Sequence, residues 1–402
     1  LTEVSWGTKS FLGKVRGGGF ARGDLKNDLG RHTGFRPSCG PHAVETCPVI
    51  MRIFFCQQCG ERLFFENTIC LTCGSALGFL PGPNVLSALT PDGHGNWLPL
   101  APEAGGALQR QCHNYARENV CNWLVPAAES DEFCLACALN RTIPDLSQPR
   151  NRELWGKIEA AKRRLTYTLL RLGLPLVSKL KDPVRGLVFD FLADPNPEFT
   201  EDQRVLTGHA EGVITLNIAE ADDAVRERLR LNLREVYRTL LGHFRHESGH
   251  YFWDLLVRDH HLIDEARAVF GDDREDYNFA LQRHYTQGPP PDWQTSFVTP
   301  YAAAHPWEDW AETWAHYLHI VDTLETAAAN GVAIQSKAGQ RLMRNPFGAT
   351  FAAIREDWHG LRFVLNSLNR SMGMADAYPF VVADAVAAKL EFVHQWIHPP
   401  TG

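Results

Sequence analysis

His246-Glu247-Ser248-Gly249-His250 carries the pattern H-E-x-x-H, inside a segment that reads as helix. On a helix, positions i and i+4 share one face, a turn apart. Two imidazoles so placed can bind one zinc ion, and the glutamate beside the first can reach a zinc-bound water. Metal, water and base together are what metal-assisted peptide hydrolysis needs. The pattern is short, and the chain holds 17 histidines in 402 residues, so context has to carry it. From Asp222 to Val257 helix breakers are few, and Leu229, Leu233, Val236, Leu240, Leu241 and Phe244 recur at helical spacing. Asp222 and Asp223 suit a helix start. Gly249 is the one internal residue that weakens the helix, by about 1 kcal/mol relative to Ala. The competing reading leaves His246 and His250 on a polar helix face. His243 falls near the same face and reads as a supporting or surface residue rather than a ligand.

Catalytic zinc usually keeps three protein ligands and one open position. The third ligand is sought in the stretch Tyr301 to His319. His305-Pro306 opens it, and proline is favoured in the first turn of a helix. Trp310, Trp314, Tyr317 and Leu318 then form an apolar stripe. Glu308 and Glu312 are four apart and share another face. One can bind the metal while the other holds a ligand histidine in place. Asp309 is a weaker ligand candidate.

An H-E-x-x-H helix followed by a second helix carrying a glutamate resembles the gluzincin metallopeptidases. The resemblance implies Glu308 as the third zinc ligand and Glu312 as the acid that orients a ligand histidine. Tyr301 matches the tyrosine that stabilises the tetrahedral intermediate in several gluzincins; the alternative is a loop tyrosine with no chemical role. The chain also resembles a narrower group, bacterial zinc-binding metallopeptidases with an N-terminal zinc ribbon. The matching stretches are Cys56 to Cys73, Cys121 to Pro126, Leu139 to Leu146, His246 to His250, His305 to His319, Leu368 to Gly373, and Tyr378-Pro379-Phe380. That group supplies no secure substrate.

The ten cysteines all lie at or before position 137. Cys56-Gln-Gln-Cys59 and Cys70-Leu-Thr-Cys73 are two knuckles separated by a short β-like stretch. Gly60 and Gly74 follow them, where the turn needs a residue tolerant of positive φ. The four thiolates make a closed, structural zinc site; a redox C-x-x-C does not explain the repeat. Cys134-Leu-Ala-Cys137 with Cys112 and Cys121 is a looser second set, with His113 as a substitute for Cys112 and buried free thiols as the alternative. Cys39 and Cys47 receive no assignment.

A net charge of −7 argues against broad phosphate-backbone binding, and Arg52 and Arg62 are the only basic residues from Met51 to Gly74. Nucleic acid is therefore not expected as a partner, although ribbons often bind it. No apolar run reaches membrane-spanning length. Metal-thiolate cysteines without a secretory signal pattern give a cytoplasmic expectation.

The expected fold class is α+β: a small zinc ribbon, then a mostly helical zincin-like metallopeptidase domain with a small β-sheet. Residues 1–50 are Gly- and charge-rich and read as irregular or disordered, with translation expected to start at Met51. Residues 51–80 form the ribbon, 81–147 a turn-rich connector holding the second cysteine set, and 148–402 the metallopeptidase domain. Asn151 to Leu172 is an amphipathic helix ended by Gly173 and Pro175. Gly186 to Leu192 and Gly212 to Ile218 read as strands. The second strand is the candidate edge for an extended substrate backbone. Asp259 to Thr299 reads as a spacer, and Pro346 to Pro399 as a helical tail without chemistry.

These pieces predict a zinc-dependent peptidase with one catalytic and one or two structural Zn²⁺ ions. Its partner is a peptide or protein substrate, with the ribbon as a docking site for a protein. His246, His250 and Glu308 hold the metal, Glu247 is the general base, Tyr301 stabilises the oxyanion and Glu312 orients a histidine. Two rivals stand beside it: a ribbon-based binding module with an inert peptidase-like half, and a metal-dependent amidase.

Overall fold

The structure is a computed structural model that describes residues 53–194, 207–232, 237–258, 262–336 and 339–398, together with 205 and 235. The expectations for residues 1–50, Cys39, Cys47, Met51, Leu233 and Val236 lie outside the described residues.

Strands β1 (Phe54–Phe55) and β2 (Arg62–Leu63) pair antiparallel as the ribbon hairpin. Gly60 and Gly74 take φ of 76° and 75°, and each donates its N–H to the carbonyl of the knuckle's first cysteine at 2.8 Å. The Sγ atoms of Cys56 and Cys73, and of Cys59 and Cys70, stand 3.6 Å apart. That is far beyond a disulfide of about 2.05 Å. It is close to the edge of a zinc–thiolate tetrahedron, about 3.8 Å for bonds of about 2.3 Å.

Residues 81–147 hold more order than a turn-rich connector. Strands β3 (Ala76–Leu80), β4 (Val85–Pro91), β5 (Trp97–Pro99), β6 (Gln109–Gln111) and β7 (Leu124–Pro126) form one antiparallel sheet in sequential order, with a short helix α1 (His113–Ala116) between the last two. Phe79 N–H donates to Asn122 O, so the first strand meets the chain entering the last. These strands are three to seven residues long, too short to show periodicity. Cys112, Cys121, Cys134 and Cys137 are all buried in one cluster with Leu77 and Phe79 of β3 and Leu86 of β4, with Cys121 and Cys134 Sγ 3.8 Å apart.

Strand β8 (Asn140–Thr142) leads to helix α2 (Pro149–Arg171), and Gly173 with φ of 69° follows the helix end. This helix joins the two halves. Leu154, Trp155, Ile158, Leu165 and Leu169 enter the main core, while Tyr167 packs on Phe65 and Phe79 of the ribbon half at 5.4 and 6.1 Å. Its basic residues are not all solvated. Lys162 is fully buried, 2.9 Å from Glu159, whose carboxylate also lies beside Cys137 Sγ.

Strands β9 (Val188–Leu192), β10 (Gly208–Ala210) and β11 (Val213–Asn217) complete a four-stranded sheet, ordered β10-β11-β9-β8. Next come α3 (Asp223–Asn232) and α4 (Leu240–Phe252), the latter continued by a π-helical turn, Trp253–Arg258. The single helix expected over 222–257 is thus two. Thr239 is extended and its hydroxyl caps α4 by accepting Gly242 N–H at 3.0 Å, a local competitor that apolar spacing does not reveal. Helices α5 (Ile263–Phe270) and α6 (Tyr277–Gln287) occupy the expected spacer. Helix α7 (Pro306–Ala329), the hairpin β12 (Ala333–Ser336) and β13 (Gly339–Leu342), and helices α8 (Phe351–Ser371) and α9 (Asp384–Ile397) finish the chain. The architecture is α+β, as expected. Among the described residues, no helix is long and apolar enough to cross a membrane.

Candidate active site

Helix α4 carries His246, Glu247 and His250, and α7 carries Glu308 and Glu312. Gly249 lets the two helices meet. A Cβ there would stand 2.9 Å from Ala311 Cα and 3.2 Å from Trp314 Cβ, contacts that a backbone atom cannot yield. Its helix cost is offset by this close crossing. The register is held by Trp310 Nε1–H donating to Gly249 O at 2.8 Å and Trp314 Nε1–H donating to Ser248 Oγ at 3.1 Å.

The crossing brings three donor atoms to one point. His246 Nε2 and His250 Nε2 are 3.2 Å apart, and Glu308 Oε2 lies 3.1 and 3.5 Å from them. Tetrahedral zinc with bonds of about 2.0–2.2 Å sets its N and O ligands about 3.3–3.6 Å apart. Glu308 Oε2 is buried and has no hydrogen-bond partner among the described residues. A buried carboxylate oxygen facing two imidazole nitrogens needs positive charge beside it, which a proton on His246 or a divalent cation among the three donors supplies. The residues fit a zinc ion.

Supporting contacts differ around the triad. His246 Nδ1–H donates to Glu312 Oε1 at 2.6 Å, and Thr299 Oγ1–H holds Glu312 Oε2 at 2.7 Å. Burial opposes the charged form of His246, but Glu308 and Glu312 win and raise it well above the ordinary imidazole range. Burial likewise pushes the Glu308 carboxyl up, and His250 and His246 overcome it, holding the group well below the usual carboxylate range. His250 Nδ1 is buried without a partner among the described residues; its ring is flanked instead by Trp307 at 4.1 Å and His209 at 6.1 Å. Glu247 is buried next to His246. Tyr301 packs on the His246 ring at 6.0 Å, and burial with the charges of Glu308 and Glu247 keeps its hydroxyl well above its usual range.

A family described as "Putative zinc-binding metallo-peptidase" matches residues 151–396, which include every residue of this triad. The chain belongs to that family. A zinc-ribbon domain family matches residues 53–148, so both thiol sets fall inside the ribbon match. Uncharacterized proteins of Mycobacterium bovis and of two Mycobacterium tuberculosis strains are each 44% identical over 345 residues, covering 86% of this chain and 94% of their own. No solved structure matches the chain.

Other candidates fall elsewhere in this metallo-peptidase family member. Asp309 points away from the triad and pairs with Lys389 of α9 at 2.6 Å. His305 caps α7: its Nδ1 accepts Trp307 N–H at 3.0 Å and its Nε2–H donates to Glu275 O at 3.1 Å. His243 pairs with Glu220 at 2.6 Å. His113 is half-exposed beside Glu132, and the donor set that comes together is Cys112, Cys121, Cys134 and Cys137. The strand Gly212 to Ile218 is not an edge. As β11 it has β10 on one side and β9 on the other, and β10 is the outer strand among the described residues. Glu211 and Gly212, with φ of 49° and 75°, make the two-residue hairpin turn that adds β10, a turn hidden from pattern reading because glutamate rarely adopts positive φ.

Sequence reasoning missed four contributors. Tyr277 Oη–H donates to Glu308 Oε1 at 2.5 Å. Trp307 covers His250, Thr299 holds Glu312, and His209 of β10 faces His250. The one available signal was Asp276, an N-cap residue that opens α6 and sets Tyr277 at its first turn.

Proposed function

We propose that this protein is a gluzincin-type zinc peptidase. His246, His250 and Glu308 would hold a zinc ion, which would supply Lewis acidity at the cleft. Glu247 takes the proton of the attacking water and delivers it to the leaving amine. The Tyr301 hydroxyl donates to the oxyanion. Glu312 keeps the His246 ring turned so that Nε2 faces the ion. The outer strand β10 takes an extended peptide backbone in place of β11. The two thiol sets hold structural zinc ions, giving three in all, and such thiolates suit a reducing, cytoplasmic setting. The ribbon serves as the protein-docking part, a reading supported by exposed Phe64 and Leu71 on its surface.

The observation that carries this reading is the buried Glu308 Oε2 within 3.1 and 3.5 Å of two imidazole nitrogens that sit 3.2 Å from each other, close to the spacing of tetrahedral zinc ligands. The test is zinc counting by elemental analysis together with cleavage of a peptide library read by mass spectrometry. Wild type is expected to hold about three zinc ions and to cleave. Glu247→Gln is expected to hold the same zinc and lose at least about 100-fold in rate, the lower range for a positioned acid–base group. An active Glu247→Gln protein refutes the base assignment.

A further inference from the structure

Glu308 has two oxygens and they meet different partners. Oε2 faces both Nε2 atoms and has no hydrogen-bond partner among the described residues. Oε1 accepts the Tyr277 hydroxyl at 2.5 Å. A carboxylate beside a divalent cation can bind through one oxygen or both. With both, a second position near the metal is filled by protein and the room for water shrinks. A strong hydrogen bond to one oxygen withdraws its lone pair and ties it away from the ion.

We propose that Tyr277 is a positioning residue that holds Glu308 to a one-oxygen contact and so keeps the fourth zinc position open. This rests on the reading of His246, His250 and Glu308 as metal ligands. The placement of Tyr277 supports the role. It sits at the first turn of α6, which Asp276 caps through Phe279 N–H at 2.7 Å. Its ring is wedged between His305 at 5.3 Å and Trp307 at 5.6 Å. His305 is itself the cap of α7, the helix that carries Glu308. The tyrosine is therefore braced by the same turn that starts the ligand helix. Only Ala280 of α6 is buried, and the helix meets the site through Tyr277 and through His284, whose ring lies 5.9 Å from that of Tyr301.

The test uses full-length wild type and Tyr277→Phe, which keeps the ring packing. The labile zinc is removed with a mild chelator, the remaining zinc is counted to verify that the thiolate sites stay filled, and one equivalent of cobalt(II) is added. Wild type is expected to show the intense visible bands of a four-coordinate ion. Tyr277→Phe is expected to show weaker, five-coordinate bands, and a zinc dissociation constant about 10-fold higher by chelator competition. A merely structural role leaves the bands unchanged. Tyr277→Phe with wild-type cobalt bands overturns the inference while leaving the ligand assignment intact. Wild type that never holds more than two metal ions overturns both.

Discussion

At the scale of single residues, the site depends on two residues whose roles the H-E-x-x-H pattern does not specify. Gly249 weakens its helix, and the reason a glycine stands there is the 2.9 Å approach that a Cβ would make to Ala311 Cα. Gly249→Ala is expected to lower stability by about 1–3 kcal/mol through overpacking and to weaken zinc binding as α7 is pushed off. Urea unfolding and chelator competition measure the two effects. Trp307 is the second. His246 is held by a carboxylate, whereas His250 has no Nδ1 partner among the described residues and is held by ring packing. Trp307→Ala is therefore expected to raise the zinc dissociation constant about 10-fold. An unchanged constant would show that the ring does not restrain His250.

At the scale of elements, α2 and α7 share a buried charge group that tunes stability with pH. Glu325 of α7 lies 3.0 Å from Arg171 of α2 and accepts the Tyr167 hydroxyl at 3.3 Å. Burial, with Asp322 adding to it and Arg171 opposing it, pushes the Glu325 carboxyl up to about 7. Between about pH 4.5 and 7 the folded chain then binds a proton that the unfolded chain, titrating near 4.5, has released. Stability from this group is full below about 4.5 and falls as pH rises to about 7. Between pH 5.5 and 7.5 wild type is expected to lose on the order of 2 kcal/mol that Glu325→Gln does not lose. Denaturant titrations of both proteins at the two pH values check this. The apolar stripes that make these helices were legible in the sequence: Leu154, Ile158 and Leu165 in α2, Trp310, Trp314 and Leu318 in α7. The break at Thr239 was not, because a cap acts through one local hydrogen bond and leaves no periodic trace.

At the scale of the whole molecule, the two thiol sets are not equivalent. Cys59 and Cys73 of the first are exposed, while all four thiols of the second are buried, with Cys137 beside Glu159 of α2. Cys59→Ser and Cys137→Ser are each expected to cost one zinc. Cys137→Ser is expected to raise hydrogen exchange along α2 more than Cys59→Ser, since Cys137 lies beside buried Glu159 of that helix, whereas Cys59 is exposed. A loss of α2 protection no greater in Cys137→Ser than in Cys59→Ser would contradict this link. Chemistry with short fixed spacing was readable from the chain by itself: two knuckles, two histidines one turn apart, a glutamate pair on a later helix. Such spacing is set by the local geometry of turns and helices, which needs no distant partner. Only the tertiary structure decided that Glu308 rather than Asp309 faces the imidazoles, that Tyr277 reaches Glu308 from 31 residues away, and that β10 lies outside β11. These are contacts between elements, chosen by how α4, α6 and α7 pack, and no local pattern encodes which face of a helix its neighbour will cover.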